Sequence, residues 1–512
     1  MAAFFFPRQP HHPPCHEAKL LSYNRAMRIQ LAFGHRAILS VLLLAAISLQ
    51  SVAQLPNRDS SNLYSARLLA EMKQLRDAAL SSDYAYVQLA HLCNNIGPRL
   101  SGSPQAQQAV QYVAGEMRRL GLEVKLERVM VPHWVRGTET AELIRFDGQA
   151  PGTTQKVVLT ALGGSVATHA EGLSAEVIVV NNFDELGSLG RGRIAGKIVM
   201  FNARFDKQMA AQGFGLDAYG QAVVYRGAGP SEAARLGALA ALVRSVGGAD
   251  YRLPHTGAFG YAEDAPKIPA AAVSAEDADL IAYLTAQGPV RMHLTLTPQT
   301  LPDVESYNVV ADIKGSEHPE QVIIVSGHLD SWDLGTGAID DGAGVAVAMQ
   351  VAQLLRKSGL KPRRTIRVIA WMNEENGLMG GRTYAEVHKA DIANHVAAIE
   401  SDLGAGHPVG FSAHVSAKAL EMLRPIASVL QTLGAGIVNR SERAEGADIS
   451  PLDAAGVPTF GPIQDNRIYF NYHHTAADTL DKVVPRELAE NAAVMTVLAY
   501  ATANLPDALP RQ

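Results

Sequence analysis

The chain has 512 residues, 47% hydrophobic and 19% charged, the balance of a globular protein too long for one ordinary core. Its formal net charge of −5 becomes −9 (40 basic against 49 acidic residues) once residues 1–53 are set aside, since these hold Arg8, Lys19, Arg25, Arg28 and Arg36 against Glu17 alone. That balance excludes nucleic acid as a partner, because phosphate binding needs a basic face. With Cys15 in the same segment, Cys93 is left alone, which excludes an internal disulfide.

In chain order, residues 1–53 read as a secretory signal peptide, with Met27 as a possible start. A basic opening leads to an apolar stretch at 37–49, too short to span a bilayer comfortably, and then to the small residues of Ser51-Val52-Ala53. An N-terminal membrane anchor is the alternative. After cleavage the chain is expected in the periplasm or outside the cell, without stable membrane association. Residues 54–132 come next. Helices are expected over 62–80, 84–95 and 105–122, the last stopped near Gly121, with a turn-rich link GPRLSGSP at 97–104 and a strand at 123–131. Cys93 falls in the second helix and reads as a buried small hydrophobe.

After Pro132 the character changes. Residues 133–300 hold short apolar runs (KVVLTAL, AEVIVV, GKIVMF) between glycine-rich turns, the pattern of an inserted β-rich domain. GSLGRGRIAG within it has no P-loop lysine in register, so nucleotide binding is not expected. Residues 301–512 alternate strand and helix: QVIIVSG, a helix at AGVAVAMQVAQLLRKSG, RTIRVIAWM, HVAAIESD, a helix over 416–434, and a closing helix from Pro485. Such alternation gives an α/β sheet covered by helices, with functional groups at the carboxyl ends of its strands.

Those ends carry the chemistry. The first strand runs into His328 and Asp330, the second into Glu374-Glu375, the third into Asp402; Asp340 and Asp341 lie on the loop leaving the first, and His473 and His474 follow later. One carboxylate at a strand end is ordinarily a helix cap or a solvated group. Several converging on one edge would repel one another at a cost of several kcal/mol each unless a cation sits among them. Two cations relieve the repulsion better than one, and mixed imidazole and carboxylate ligands suit zinc rather than calcium. The glycines of DDGAG let backbone approach closely, or simply make a tight turn.

SGHLDSWD, GAIDDGAG, NEENG, ESDLGAG, GADISP and HHTAADT, in this order, resemble the co-catalytic zinc exopeptidases, and within them the carboxypeptidase Q branch. PHW, RGRIAGKIV and PKIPAAAVSAEDA extend the resemblance into the inserted segment, which looks like a protease-associated domain. The resemblance implies the zinc exopeptidase fold, a mixed and mostly parallel sheet flanked by helices. It implies two Zn2+ per chain, a peptide substrate and a homodimer. His328, Asp340, Glu375, Asp402 and His474 match the metal ligands, with Asp340 bridging both ions and its bond to Asp341 cis. Glu374 matches the general base, acting on a water bridging the two ions. Asp330 is expected behind His328, orienting it. Where aminopeptidase and folate-type relatives carry a tyrosine, this chain has His473. We expect it to donate a hydrogen bond to the tetrahedral intermediate; packing in the pocket wall is the alternative. Trp332 and Asp333 are candidates for the pocket or for packing, and Asp448 for the substrate site or for a turn. The implied activity is hydrolysis of dipeptides or short peptides, with aminopeptidase action on the same metal core as the alternative. A non-catalytic binding protein and a glutaminyl-cyclase-like acyltransferase are the more distant readings.

Overall fold

The apolar run at 322–325 lies in the middle of an eight-stranded sheet, buried on both faces. Its strands are β1 (Glu123–Val135), β2 (Gln299–Ile313), β3 (His318–His328), β4 (Arg364–Trp371), β5 (His395–Glu400), β6 (Pro408–His414), β7 (Ile437–Arg440) and β8 (Thr459–Gln464). The spatial order is β1-β2-β4-β3-β5-β8-β6-β7. β4, β3, β5 and β8 run parallel, and every residue of β4 and β5 is buried. Continuous apolar runs such as RTIRVIAW are what a sheet covered on both faces demands. β2 and β6 are antiparallel to this core. The computed structural model describes residues 63–511. The segment read as a signal peptide lies outside them, and among the described residues no helix is long and apolar enough to cross a membrane.

Helices cover the sheet for legible reasons. α1 (Ala66–Leu80) starts where Ser65 Oγ accepts from the Leu68 amide at 3.1 Å. α2 (Tyr84–His91) follows, and α3 (Pro104–Arg119) has a Ser103 cap and proline in its first turn. α5 (Ala343–Ser358), numbered after α4 (Gly215–Arg235), is buried from Ala343 to Leu355 and ends at Gly359, whose φ of 67° suits only a residue without Cβ. α6 (Pro485–Ala503) is buried from Leu488 onward and packs against α1 and α5.

Two elements depart from expectation. β1 does not stop at 131 but crosses Pro132 to Val135, with a register shift between Val131 and His133. β1 is the sheet's edge, where a missing N–H costs no ladder bond. The expected helix over 416–434 is broken into Ala417–Leu423, a 3-10 turn Arg424–Ile426 and Ala427–Leu430. Pro425 lacks the amide a continuous helix would need.

Between the paired β1 and β2 the chain builds a second eight-stranded sheet from strands between Glu139 and Leu296. It joins the first in one compact unit. Trp332, on the loop after β3, is 3% exposed and packs with Trp134 and Leu100 in that sheet's core. Asp333 on the same loop pairs with Arg136 at 2.7 Å. Both residues therefore join the two sheets, and neither lines the cavity at the first sheet's edge.

Candidate metal centre

Three parallel strands bring the charged groups to one edge. β3 ends on His328, β4 runs into Glu374 and Glu375, and β5 runs into Asp402. Asp340 lies in the turn before α5, and its peptide bond to Asp341 is cis. His473 and His474 come from the loop after β8.

The five expected ligands gather around the Asp340 carboxylate. Its Oδ1 is 3.1 Å from His328 Nε2, which is 3.2 Å from Asp402 Oδ1. Its Oδ2 is 3.2 Å from His474 Nε2, which is 3.0 Å from Glu375 Oε2. These are two half-sites sharing one carboxylate. Hydrogen-bond direction decides what fits between them. His328 Nδ1 lies 3.0 Å from the Asp330 carbonyl oxygen, and His474 Nδ1 lies 3.3 Å from that of Thr256. A carbonyl only accepts, so each Nδ1 carries the proton and each Nε2 presents a lone pair. With its ring neutral, each half-site thus gathers one lone pair and two carboxylate oxygens, three acceptors and no donor. Asp340 Oδ2 is buried without a hydrogen-bond partner. A cation satisfies this set. Ligand atoms about 2.0–2.1 Å from a tetrahedral zinc lie roughly 3.3 Å apart, close to the separations here.

The electrostatics agree. Burial lowers the pKa of His328, but Asp402 and Asp340 outweigh it and hold the ring well above its ordinary value. At His474 burial is likewise outweighed, by Glu375 and Asp340. Burial and then Asp340 push Glu375 up to about 7. The cluster attracts positive charge from every side.

A polar scaffold fixes these groups. Asp341 accepts from the His328 amide at 3.0 Å and the Gly344 amide at 2.9 Å, tying β3 to the start of α5. A Cβ on Gly344 would collide with the Ser401 carbonyl and the Asp341 carboxylate. Asp478 accepts from the Ala338 and Ile339 amides, both at 2.8 Å. Arg99, fully buried, donates to the carbonyls of Leu329 at 2.9 Å, Thr336 at 2.6 Å and Gly337 at 2.9 Å. The loop that carries the centre is therefore held by a guanidinium from the segment expected to be a plain link.

Comparison with known proteins places this arrangement. Residues 308–499 match the model of peptidase family M28. Human carboxypeptidase Q is 38% identical over 429 residues, 83% of this chain and 87% of the human protein. The crystal structure of a peptidase M28 precursor from Shewanella amazonensis matches with a TM-score of 0.81 at 38% identity, covering 86% of this chain and 98% of that one. The chain belongs to peptidase family M28. It is a zinc-dependent peptide hydrolase. A zinc aminopeptidase from Bacillus subtilis shares the fold, with a TM-score of 0.60 at 20% identity over 81% of this chain and 94% of that one.

In this M28 peptidase Glu374 lines a cavity of about 690 Å³ at the cluster. Its carboxylate has no hydrogen-bond or ion-pair partner among the described residues; burial drives its pKa well up, with His328 opposing and Asp402 reinforcing. Asp330 lies behind His328, with its carboxylate 4.0 Å from Nδ1, but the hydrogen bond comes from its main chain. Its main-chain oxygen holds His328, while its side chain accepts from the amides of Asn373 at 2.7 Å and Glu374 at 3.0 Å. Asp448 is fully buried beside Glu400, which accepts from the Ile449 amide at 3.0 Å, and neither cavity near the centre includes Asp448 in its wall. His473 lines the cavity, stacked on His474 at 3.6 Å, with Nε2 3.4 Å from Asp340 Oδ2. Its Nδ1 is 3.0 Å from Nε2 of His255, a residue of the second sheet's segment that sequence reading passed over. A lone histidine in RLPHTG carries no motif; only the fold brings it here.

Proposed function

We propose that the chain is a dizinc exopeptidase that acts outside the cytoplasm and splits dipeptides or releases the C-terminal residue of short peptides. The two half-sites sharing Asp340 support two ions, one held by His328, Asp402 and Asp340, the other by His474, Glu375 and Asp340. The ions would supply Lewis acidity for the scissile carbonyl and make the attacking water more acidic. Glu374, unpartnered at the cavity wall, takes the water's proton and returns it to the leaving amine. His473, beside it, donates to the carbonyl oxygen as that oxygen becomes an anion.

Arg226 carries the C-terminal preference. This α4 residue is 8% exposed and lines the cavity, yet no carboxylate pairs with it among the described residues. Its Nη1 donates to the Thr256 carbonyl at 3.0 Å, its face lies 5.5 Å from the Tyr219 ring, and its Nε has no partner. A buried guanidinium without a counter-ion is costly unless an anion arrives. Arg382 adds a second cation to the wall, whereas the wall's acids, Asp340, Glu374, Glu375 and Asp402, are the ligands and the base. Such a cavity grips a substrate carboxylate and repels an ammonium group. The carboxypeptidase name of the human relative points the same way.

The test uses a free dipeptide, its N-acetyl form and its C-terminal amide. Hydrolysis lost on amidation and kept on acetylation supports the proposal, and loss on both narrows it to a strict dipeptidase. Loss on acetylation alone would make the enzyme an aminopeptidase and overturn the role of Arg226.

A further inference from the structure

We infer that a second cavity beside the metal centre takes the side chain of the residue on the amino side of the scissile bond, and that Glu445 makes this cavity selective for a basic side chain. The inference rests on the C-terminal preference proposed above, which decides which end of the peptide lies where.

The second cavity holds about 1060 Å³ and adjoins the first. Leu216, Tyr219, Asp402 and Leu403 belong to both walls. Of the five expected ligands, Asp402 alone lines the second cavity, whereas the first also takes in Asp340, Glu375 and His474. A peptide with its carbonyl at the centre and its terminal carboxylate on Arg226 fills the first cavity with its C-terminal residue. Its amino side then leaves past Asp402, into the second. Cavities of about 300–1,000 Å³ house drug-sized ligands, so the longest side chains fit here.

The wall is built for a donor. Glu445, half-buried, comes from the segment between β7 and the short helix Ser450–Ala454. Its Oε2 accepts from Ser412 Oγ of β6, another wall residue. Its Oε1 has no donor, and no Lys, Arg or His pairs with Glu445 among the described residues. Gln464 of β8, 6% exposed, belongs to the same wall. Its Nε2 donates to the Gly404 carbonyl at 2.6 Å and to Ser401 Oγ at 3.2 Å. A carbonyl only accepts, so the amide is fixed this way round, and its buried Oε1 is left without a partner. A lysine ammonium or an arginine guanidinium brings donors and no acceptor, the complement of these two groups. Arg440 and Arg443 also line the cavity, but both are exposed, and Arg440 Nε is drawn to the Val415 carbonyl at 3.0 Å. Charges so exposed are screened by water and salt, and the exposed Asp217 offsets part of theirs.

The test compares kcat/KM in the full-length enzyme for dipeptides that share a C-terminal residue and begin with lysine, norleucine, glutamate or glycine. Norleucine has the four carbons of lysine without the ammonium. Wild type should favour lysyl over norleucyl by about 10-fold, the scale of a charged hydrogen bond at a half-buried site, and should disfavour glutamyl. Glu445→Gln should bring the lysyl-to-norleucyl ratio close to one, and Glu445→Lys should turn the preference to glutamyl. Gly220→Trp locates the subsite. Gly220 lines this cavity on α4, and a Cβ there meets nothing within 4 Å, so the indole has room to enter. That variant should lower the lysyl-to-glycyl ratio by about 10-fold. A wild type that cleaves lysyl no faster than norleucyl, or a ratio that Glu445→Gln leaves unchanged, would overturn the inference. So would a Glu445→Gln effect read on glycyl-lysine against glycyl-norleucine instead, since it would put the cavity on the carboxyl side. Should the Glu445 variants fail to fold, the wild-type comparison and Gly220→Trp decide. None of these adverse results touches the loss of hydrolysis on C-terminal amidation, so the proposed function stands or falls separately.

Discussion

Glu374 and Glu375 are neighbours in sequence and opposites in placement. Glu375 Oε1 accepts from the Trp332 amide at 3.2 Å while Oε2 meets His474 Nε2 at 3.0 Å, so both of its oxygens are committed. Glu374 is left unpartnered at the cavity. Glu374→Gln should therefore cut kcat by about 10²–10⁴-fold, the usual range for a general base, with metal content intact; a Glu374→Gln enzyme that lost its metal would instead make Glu374 a ligand. Arg226→Met should raise KM for free dipeptides, with a loss in kcat/KM of about 30- to 150-fold, corresponding to the roughly 2–3 kcal/mol of hydrogen bonds to a charged group. Steady-state kinetics would show the effect vanish on the amide, and an equal loss on both substrates would contradict the assignment. At this scale the groups that gather at the sheet edge were legible, because each sits in a short motif at a strand end or in the loop that follows one. The sequence hid Arg99, Arg226 and His255, and gave Asp478, inside HHTAADT, no role. Their partners lie far along the chain, and an isolated arginine or histidine gives no periodic or spacing signal.

At the level of elements, the loop after β3 depends on Arg99. Arg99→Met would leave the carbonyls of Leu329 and Thr336 without their donor inside the protein, and that of Gly337 with the Gly342 amide alone. A loss of about 3–5 kcal/mol in denaturant unfolding is expected, the cost of breaking a buried charged network. A change under about 1 kcal/mol would show that the loop holds itself. β5 brings a pH dependence of its own. Its first residue, His395, is fully buried, with Nε2 2.8 Å from Tyr384 Oη. Burial, then Arg367 and His388, lower its pKa from 6.5 to about 4. The unfolded chain binds this proton as pH falls below 6.5, while the folded chain resists until about 4. The contribution is complete above pH 6.5 and disappears as pH falls toward 4, about 3 kcal/mol in all. Urea titrations of wild type and His395→Gln should therefore diverge above pH 6.5 and converge near pH 4; parallel curves would remove His395 from the account. The strongly patterned strands β3, β4 and β5 and the helix α5 were legible because they are buried on all sides. β7 was not, since IVNR is largely exposed and offers no apolar run.

Across the whole molecule, one sheet supplies every proposed ligand and the other completes the cavity. Trp332, Asp333 and the His255–Thr256 loop are among the contacts through which they meet, with Tyr219 stacked on Phe470. The sequence marked the change of character after Pro132 but gave no sign that the inserted segment touches the centre, because its contributing residues lie in loops without motifs. The central claim is that Asp340 is shared by two cations. Anomalous diffraction at the zinc absorption edge, on crystals of the purified protein, tests it most directly. The account predicts two zinc peaks per chain, one beside His328 and Asp402 and one beside His474 and Glu375, with Asp340 between them. A single peak, or zinc held away from Asp340, would contradict it.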